Sequence, residues 1–259
     1  MRTEPKVLVV IPARWASSRF PGKPLANIAG IPMIQRVAAQ ANKANCASEV
    51  IVATDDHRIL DFVKEKGGTA IMTSVEHESG TDRVAEVARD RDCDIVVNVQ
   101  GDEPLIPPQN IDQVVRPLVD DSSISVTSLR VLIRNKSDLL NKNITKVVVD
   151  KFDSALYFSK APIPWDRDLW SDSADGISKI SSPQWFKHIG LYAYRKRFLM
   201  EYSKMPKSPL EQIEKLEQLR ILENGIPIKV LETKFDSIGV DSQADIEIIE
   251  KQLALSPEI

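Results

Sequence analysis

The chain has 259 residues, enough for one or two domains and for a core that folds without a disulfide or metal staple. Lys and Arg number 34 against 37 Asp and Glu, and the net charge of −3 excludes a nucleic-acid binder working by bulk charge, though not a local basic patch facing a small polyanion. Hydrophobic residues at 42% and charged residues at 27% exclude the disordered and fibrous classes. Cys46 and Cys93 are too few for a disulfide framework and lack zinc-site spacing, so they read as reduced thiols of a cytoplasmic protein. No apolar run approaches the ~20 residues that span a bilayer, which predicts no membrane association. The five apolar residues before Pro12 are too short for a signal-peptide core.

In chain order, residues 7–11 are a continuous Val/Ile-rich run, the pattern of a strand buried on both faces of a parallel sheet. Residues 49–54 and 94–99 repeat it. Between these strands the spacing predicts helices over 32–44 (Ile34, Val37, Ala38, Ala41), over 56–66 (Ile59, Leu60, Val63, stopped by Gly67) and over 80–91 (Val84, Val87, Ala88). Strands alternating with helices predict a parallel α/β sheet with right-handed crossovers. The second half is less regular. Residues 124–133, 145–150, 155–159 and 188–194 predict strands in close succession, with a loop over 160–184. Residues 208–224 predict one strong helix: Ser208 caps, Pro209 sits in the first turn, Glu211 reaches back, and Gly225 stops it. Residues 226–233 predict a strand. Residues 242–253 predict a closing helix whose capping box is imperfect, with Asp245 where Glu or Gln is usual. No repeat or clean linker divides the chain, which reads as one α/β domain over 1–259 with a smaller antiparallel insertion near 124–194.

The chemistry-bearing segments follow the strong strands. After the first comes a loop, IPARWASSRFPGKPL (11–25), with Arg14, Arg19 and Lys23 among small residues. In open α/β sheets ligands bind outside the carboxyl ends of the strands, and three cations there match a triphosphate. GxxxxGK[ST] is absent, so the loop is not a P-loop. VATDD (52–56) ends the second strand, where an Asp as helix cap is the plain reading. SGTDR (79–83) opens a helix, whose free N–H groups favour hydroxyls and anions. VNVQGDEP (97–104) delivers Asp102 to the sheet edge, either as a turn residue or as a Mg²⁺ ligand. Asp241, after a short Ile-Gly-Val piece, offers a second carboxylate for the same ion. Arg167, His188, Tyr192, Glu217 and Gln218 are polar groups suited to a hydroxyl-rich acidic ligand, although His188 alone reads as structural.

Together with ALYFSKAPIPWDRD (155–168), HIGLYAYR (188–195), SPLEQIEKLEQLRILENG (208–225) and SIGVD (237–241), these segments resemble the 3-deoxy-D-manno-octulosonate cytidylyltransferases over essentially the whole chain. Trp15 stands where that family usually has Tyr. The resemblance implies a Rossmann-like nucleotidyltransferase sheet with a smaller antiparallel dimerisation subdomain. It implies transfer of CMP from CTP to the eight-carbon acid sugar Kdo with release of pyrophosphate, in the cytoplasm, by a homodimer using Mg²⁺. Arg14, Arg19 and Lys23 match the phosphate-binding loop, with Arg14, Lys23 and Asp102 carrying catalysis. Asp102 and Asp241 match the metal ligands. Ser79, Gly80, Thr81, Arg83 and Gln100 match nucleotide-binding positions. Arg167, His188, Tyr192, Glu217 and Gln218 match sugar-binding positions. The nearest alternative keeps the chemistry and changes the sugar, to an amino-substituted Kdo or a sialic acid. A remoter one is a non-catalytic nucleotide-binding protein on the same fold.

Overall fold

The computed structural model describes residues 5–16, 20–167 and 185–255. In chain order it contains β1 (Val7–Ala13), a 3-10 turn (Lys23–Leu25), β2 (Asn27–Ile28), β3 (Ile31–Pro32), α1 (Met33–Ala41), β4 (Glu49–Thr54), α2 (His57–Glu65), β5 (Ala70–Met72), α3 (Gly80–Arg89) and β6 (Ile95–Asn98). There follow α4 (Pro108–Asp120), β7 (Val126–Leu132), α5 (Lys136–Leu140), β8 (Lys146–Val149), β9 (Ala155–Ser159), β10 (Phe186–Arg195), α6 (Lys196–Tyr202), α7 (Pro209–Glu214), α8 (Leu219–Glu223), β11 (Lys229–Glu232) and α9 (Gln243–Leu255).

The main sheet has the order β11-β7-β10-β6-β1-β4-β5. Six of these seven strands run in one direction, and β10 alone is reversed, antiparallel to both β6 and β7. β2 and β3 form a separate antiparallel pair. The apolar run of β1 explains its central place. Val7, Val9 and Ile11 point to one core, filled from α1, α2, α4 and α9, while Leu8 and Val10 point to the other, filled from α3, α6 and α8. Side-chain period two thus serves two helical layers, and each fully buried Val or Ile contributes ~1.5–3 kcal/mol.

The expected insertion near 124–194 differs from what forms. β7 and β10 lie inside the central sheet, and only the β8–β9 hairpin extends beyond it, with β8 on the edge of β10. The reason is again two-sided burial: Leu129, Ile189, Leu191 and Ala193 enter one core, Val126, Tyr192 and Tyr194 the other.

The single helix expected over 208–224 is broken in two. Glu211 reaches back as expected, accepting from the Ser208 N–H at 3.1 Å, while the Ser208 hydroxyl makes no capping hydrogen bond. Lys215 then turns left-handed at φ 57°, and α8 restarts at Leu219. Glu211 and Arg220 are nine positions apart, which on a straight helix means opposite faces and about 13 Å of rise. The break brings them together in a buried fork, with Arg220 Nε and Nη2 donating to Glu211 at 2.8 and 2.5 Å.

One long helix, α4, lacked any sequence-based expectation. Pro108 opens it and Pro117 lies inside it, yet Ile111, Val114, Val115 and Leu118 are buried at helical spacing.

Candidate active site

The chain runs from β1 to β4 on one side and later returns to β6 on the other. A crevice therefore opens at the carboxyl ends of these strands, where the order reverses. It is a cleft of about 230 Å³ lined by Arg14, Lys23, Ser79, Gly80, Arg83, Gln100, Asp102 and Asp241, among others.

The basic loop is shaped by Trp15. Gly22 has φ 71° and donates its N–H to the Trp15 carbonyl at 3.1 Å; a Cβ there would stand 3.0 Å from the indole. The other partner of the indole is the Arg58 guanidinium, 3.4 Å from the ring centroid. Arg58 is itself held by Asp56, the cap of α2, at 2.6 and 2.9 Å. Asp56 thus has the plain capping role expected of it. The loop places Arg14 exposed at the cleft and starts its 3-10 turn with Lys23. Arg19 lies outside the described residues.

Lys23 is the hub. Its Nζ donates to Asp102 Oδ2 at 2.6 Å and to the Val240 carbonyl at 2.8 Å, and lies 3.9 Å from Asp241 Oδ1. Asp102 and Asp241, 139 positions apart, therefore meet at one ammonium. Two backbone features enforce this. Gly101 passes so close to β1 that a Cβ would sit 2.6 Å from the Pro12 carbonyl oxygen, which only glycine permits. The Val240 N–H donates to the Asp102 carbonyl at 2.8 Å. Asp245 fastens the following turn, accepting from the N–H groups of Asp241 and Ser242 at 2.9 and 2.7 Å. The shorter Asp thus supplies one half of the box, while the Ser242 hydroxyl donates to Asp245 instead of capping its N–H, so the box stays imperfect as the sequence predicted.

Among the described residues no group of three or more His, Cys, Asp or Glu side chains could hold a metal. The pair of partly exposed carboxylates nevertheless fits Mg²⁺, which is commonly held by one or two protein carboxylates with phosphate and water completing its shell.

The SGTDR segment divides its labour. Ser79 and Asp82 form a reciprocal capping box, leaving the first turn of α3 facing the cleft at Ser79 and Gly80. Thr81 turns inward, donating to Glu217 and accepting from Asn98 at 3.3 Å. The Arg83 side chain is buried at the cleft wall, bound to Asp55 at 2.7 Å and to Thr73. Gln100 lines the cleft while its amide donates to the Gly190 carbonyl at 3.1 Å, beside the irregularity in β10 between Ile189 and Tyr192.

The residues matched to the sugar lie apart from this cleft. His188 is buried, hydrogen-bonded to Ser128 at 2.8 Å, and packed on Phe158 and Tyr192. Burial, reinforced by Lys160, pushes its pKa down to about 3, so it is neutral. Tyr192 is buried against Tyr194, and desolvation raises its phenol well above the ordinary value. Glu217 is raised by desolvation although Thr81 donates to it. Gln218 is buried at the start of α8, and Arg167 is exposed. None of these five lines the cleft. Thr81 is the link, joining Glu217 to the start of α3.

Two residues carry more than the sequence reading gave them. His77 lines the cleft and pairs with Glu86; its position two residues before Ser79 was the available signal. Glu103 accepts from Ser237 at 2.6 Å, clasping the β6 loop to the segment that carries Asp241. Burial pushes its pKa up to about 7.

Residues 8–233 match the family model described as cytidylyltransferase. A 3-deoxy-manno-octulosonate cytidylyltransferase of Geobacter metallireducens is 51% identical over 96% of this chain and 98% of its own. Its counterpart in Geotalea daltonii is 52% identical, again over 96% and 98%. A solved CMP:2-keto-3-deoxy-manno-octonic acid synthetase complexed with CTP superposes with TM-score 0.87 at 42% identity, covering 96% of this chain and 99% of that one. A 4-diphosphocytidyl-2C-methyl-D-erythritol synthase from Anaerococcus prevotii, 13% identical with TM-score 0.61 and covering 97% and 100%, shares the fold alone. With its phosphate-type cleft at the strand ends and these relatives along nearly its full length, the chain belongs to the 3-deoxy-manno-octulosonate cytidylyltransferase family.

Proposed function

We propose that this enzyme transfers CMP from CTP to Kdo: the anomeric hydroxyl of the sugar attacks the α-phosphorus, the bond to the β-phosphate oxygen breaks, and pyrophosphate leaves. The observation that carries the reading is the meeting of Lys23, Asp102 and Asp241 at one point beside Arg14, where a triphosphate enters the cleft. Such a transfer needs positioning and charge neutralisation more than a covalent nucleophile. Arg14 and Lys23 bind phosphate oxygens, and the N–H groups of the first turn of α3 add anion-favouring dipoles. Gln100 fixes the β6 loop against β10. Asp102 and Asp241 would hold Mg²⁺, which when bound neutralises phosphate charge and orients the attacking hydroxyl. Thr81 and Glu217 tie the helix at the nucleotide side to the residues assigned to the sugar.

The assignment extends to a homodimer joined through the β8–β9 hairpin, supported by the exposure of Phe152 (65%) and Leu156 (63%) there. It extends also to the cytoplasm, supported by two unpaired thiols, with Cys46 pushed up to about 12 by burial and by Asp112. Among the described residues no helix is long and apolar enough to cross a membrane.

The test is to incubate the protein with each of the four nucleoside triphosphates, Mg²⁺ and Kdo, and measure pyrophosphate. Release is expected with CTP and Kdo together. Equal turnover with ATP, or turnover without a sugar acid, contradicts the reading. Replacing Kdo by its amino analogue in the same assay separates the two closest substrates.

A further inference from the structure

Asp241 reaches the cleft on a segment that no sheet holds. β11 ends at Glu232 and α9 begins at Gln243, and residues 236–241 between them form neither strand nor helix. A carboxylate on such a segment stands where the grips on the segment put it. On the cleft side, the Val240 N–H donates to the Asp102 carbonyl and the Val240 carbonyl accepts from Lys23, both at 2.8 Å, while Asp245 holds the turn that follows. At the other end, Ser237 is buried and held twice. Its hydroxyl donates to Glu103 Oε2 at 2.6 Å, and its carbonyl accepts from Lys187 Nζ at 2.8 Å. Gly239 lies between these anchors with open space where a Cβ would be, so nothing stiffens the link at that position.

Glu103 therefore follows Asp102 in sequence and is bonded to the Asp241 segment in space. Its own place is set by β10. A Cβ on Gly190 would stand 3.8 Å from Glu103 Oε1 and 3.5 Å from Gln100 Cγ, and the Gln100 amide donates to the Gly190 carbonyl at 3.1 Å. Lys187, the second hold on Ser237, belongs to the same strand. One strand thus braces the carriers of both cleft carboxylates, and Glu103 does so without lining the cleft itself.

We propose that Glu103 is a positioning residue: by holding Ser237 it sets where Asp241 stands relative to Asp102, and so how readily the cleft takes a divalent cation together with CTP. It works as a hydrogen-bond acceptor, so an uncharged acceptor in its place serves as well. The inference rests on the reading of Asp102 and Asp241 as Mg²⁺ ligands.

The test is CTP binding to the full chain, followed by calorimetry without any sugar, at a series of Mg²⁺ concentrations. In the unaltered protein Mg²⁺ should strengthen CTP binding up to a plateau. Glu103→Ala should raise the Mg²⁺ needed for half of that gain about tenfold, the scale on which partners behind a metal ligand act, and leave CTP affinity at saturating Mg²⁺ unchanged. Ser237→Ala should do the same, and the two together no more than either alone, since both cut one bond. Glu103→Gln, whose side-chain carbonyl still accepts from Ser237, should restore the Mg²⁺ dependence of the unaltered protein. Ser237→Ala keeps the test open should Glu103→Ala misfold. An unchanged Mg²⁺ requirement in the folded variants, additive shifts in the double variant, or a Glu103→Gln protein as impaired as Glu103→Ala overturns the proposal. CTP binding that ignores Mg²⁺ in the unaltered protein overturns it as well, and that result alone also removes the reading of the metal site beneath it.

Discussion

Lys23 and Arg220 each hold carboxylates, in two settings that differ in closure. Arg220 meets Glu211 in a two-bond fork, the side chains are 6% and 8% exposed, and the guanidinium further lies over the Tyr202 ring at 5.0 Å and donates to the Met205 carbonyl. The hydrogen bonds to Glu211 raise the pKa of Arg220, so the guanidinium keeps its charge in the fork. Lys23 meets two carboxylates whose side chains keep 33% and 46% of their surface in solvent. The closed pair spends its donors and acceptors within the fold, on itself, on the Met205 carbonyl and on the Ser208 N–H, and serves folding. The open cluster presents carboxylate oxygens to a cleft, which a metal ion requires, beside an ammonium, which phosphates require. His188 belongs with the closed set: buried, neutral and satisfied by Ser128.

The largest effect expected from this contrast is on stability. Arg220→Ala leaves Glu211 buried without its partner, a loss of about 3–5 kcal/mol read from urea unfolding. A loss below about 1 kcal/mol would place the pair with ordinary surface ion pairs. Lys23→Ala should show the opposite profile. Its fold stability changes by less than about 1 kcal/mol, as for partly exposed pairs. Its kcat/KM for CTP falls ten- to a hundredfold, the equivalent of roughly 1.5–3 kcal/mol for a charge-assisted bond to phosphate. Wild-type kinetics in that variant would make the loop a solvated surface.

A third effect, modest at each pH unit, concerns pH. The folded protein keeps His188 neutral down to about 3, whereas the unfolded chain protonates its histidines below the ordinary value of 6.5. Stability present above pH 6.5 is therefore lost as pH falls from 6.5 toward 3, by up to about 1.4 kcal/mol per pH unit from this one group. His188→Gln should flatten that slope between pH 6.5 and 4. Identical slopes in both proteins would mean that His188 is protonated in the fold.

The same contrast explains what could be read from residues alone. The strands β1, β4 and β6 were legible because burial on both faces writes itself as an unbroken apolar run. Asp102 was legible because it follows such a run at β6; Asp241 was less so, because the Ile-Gly-Val piece before it forms no strand and is brought to the cleft by the Val240 N–H bond to the Asp102 carbonyl. The closed set was less so. The Glu211–Arg220 fork depends on a left-handed turn at Lys215, a lysine that carries no turn signal. The burial of β7 and β10 in the central sheet depends on which core each side chain enters, and alternating Tyr and aliphatic residues read equally well as an antiparallel edge. α4 had its periodic signal in Ile111, Val114, Val115 and Leu118, masked by Pro117. α5 and α6, of five and seven residues, are too short to show a period. The placing of Thr81 inward and of Ser79 and Gly80 outward follows from the helical rotation of α3, which a motif string does not display.

The central claim is that Asp102 and Asp241 act on one ion beside Lys23. Asn matches Asp in size, so Asp102→Asn, Asp241→Asn and the double variant should all fold, and the direct measurement is their pyrophosphate release across a Mg²⁺ titration. Each single variant should lose most activity, on the order of a hundredfold, and need more Mg²⁺ for what remains. The double variant should lose less than the sum of the single losses, because both side chains act through the same ion. Strictly additive losses, or an unchanged Mg²⁺ requirement in either single variant, would show that the two carboxylates do not share a site.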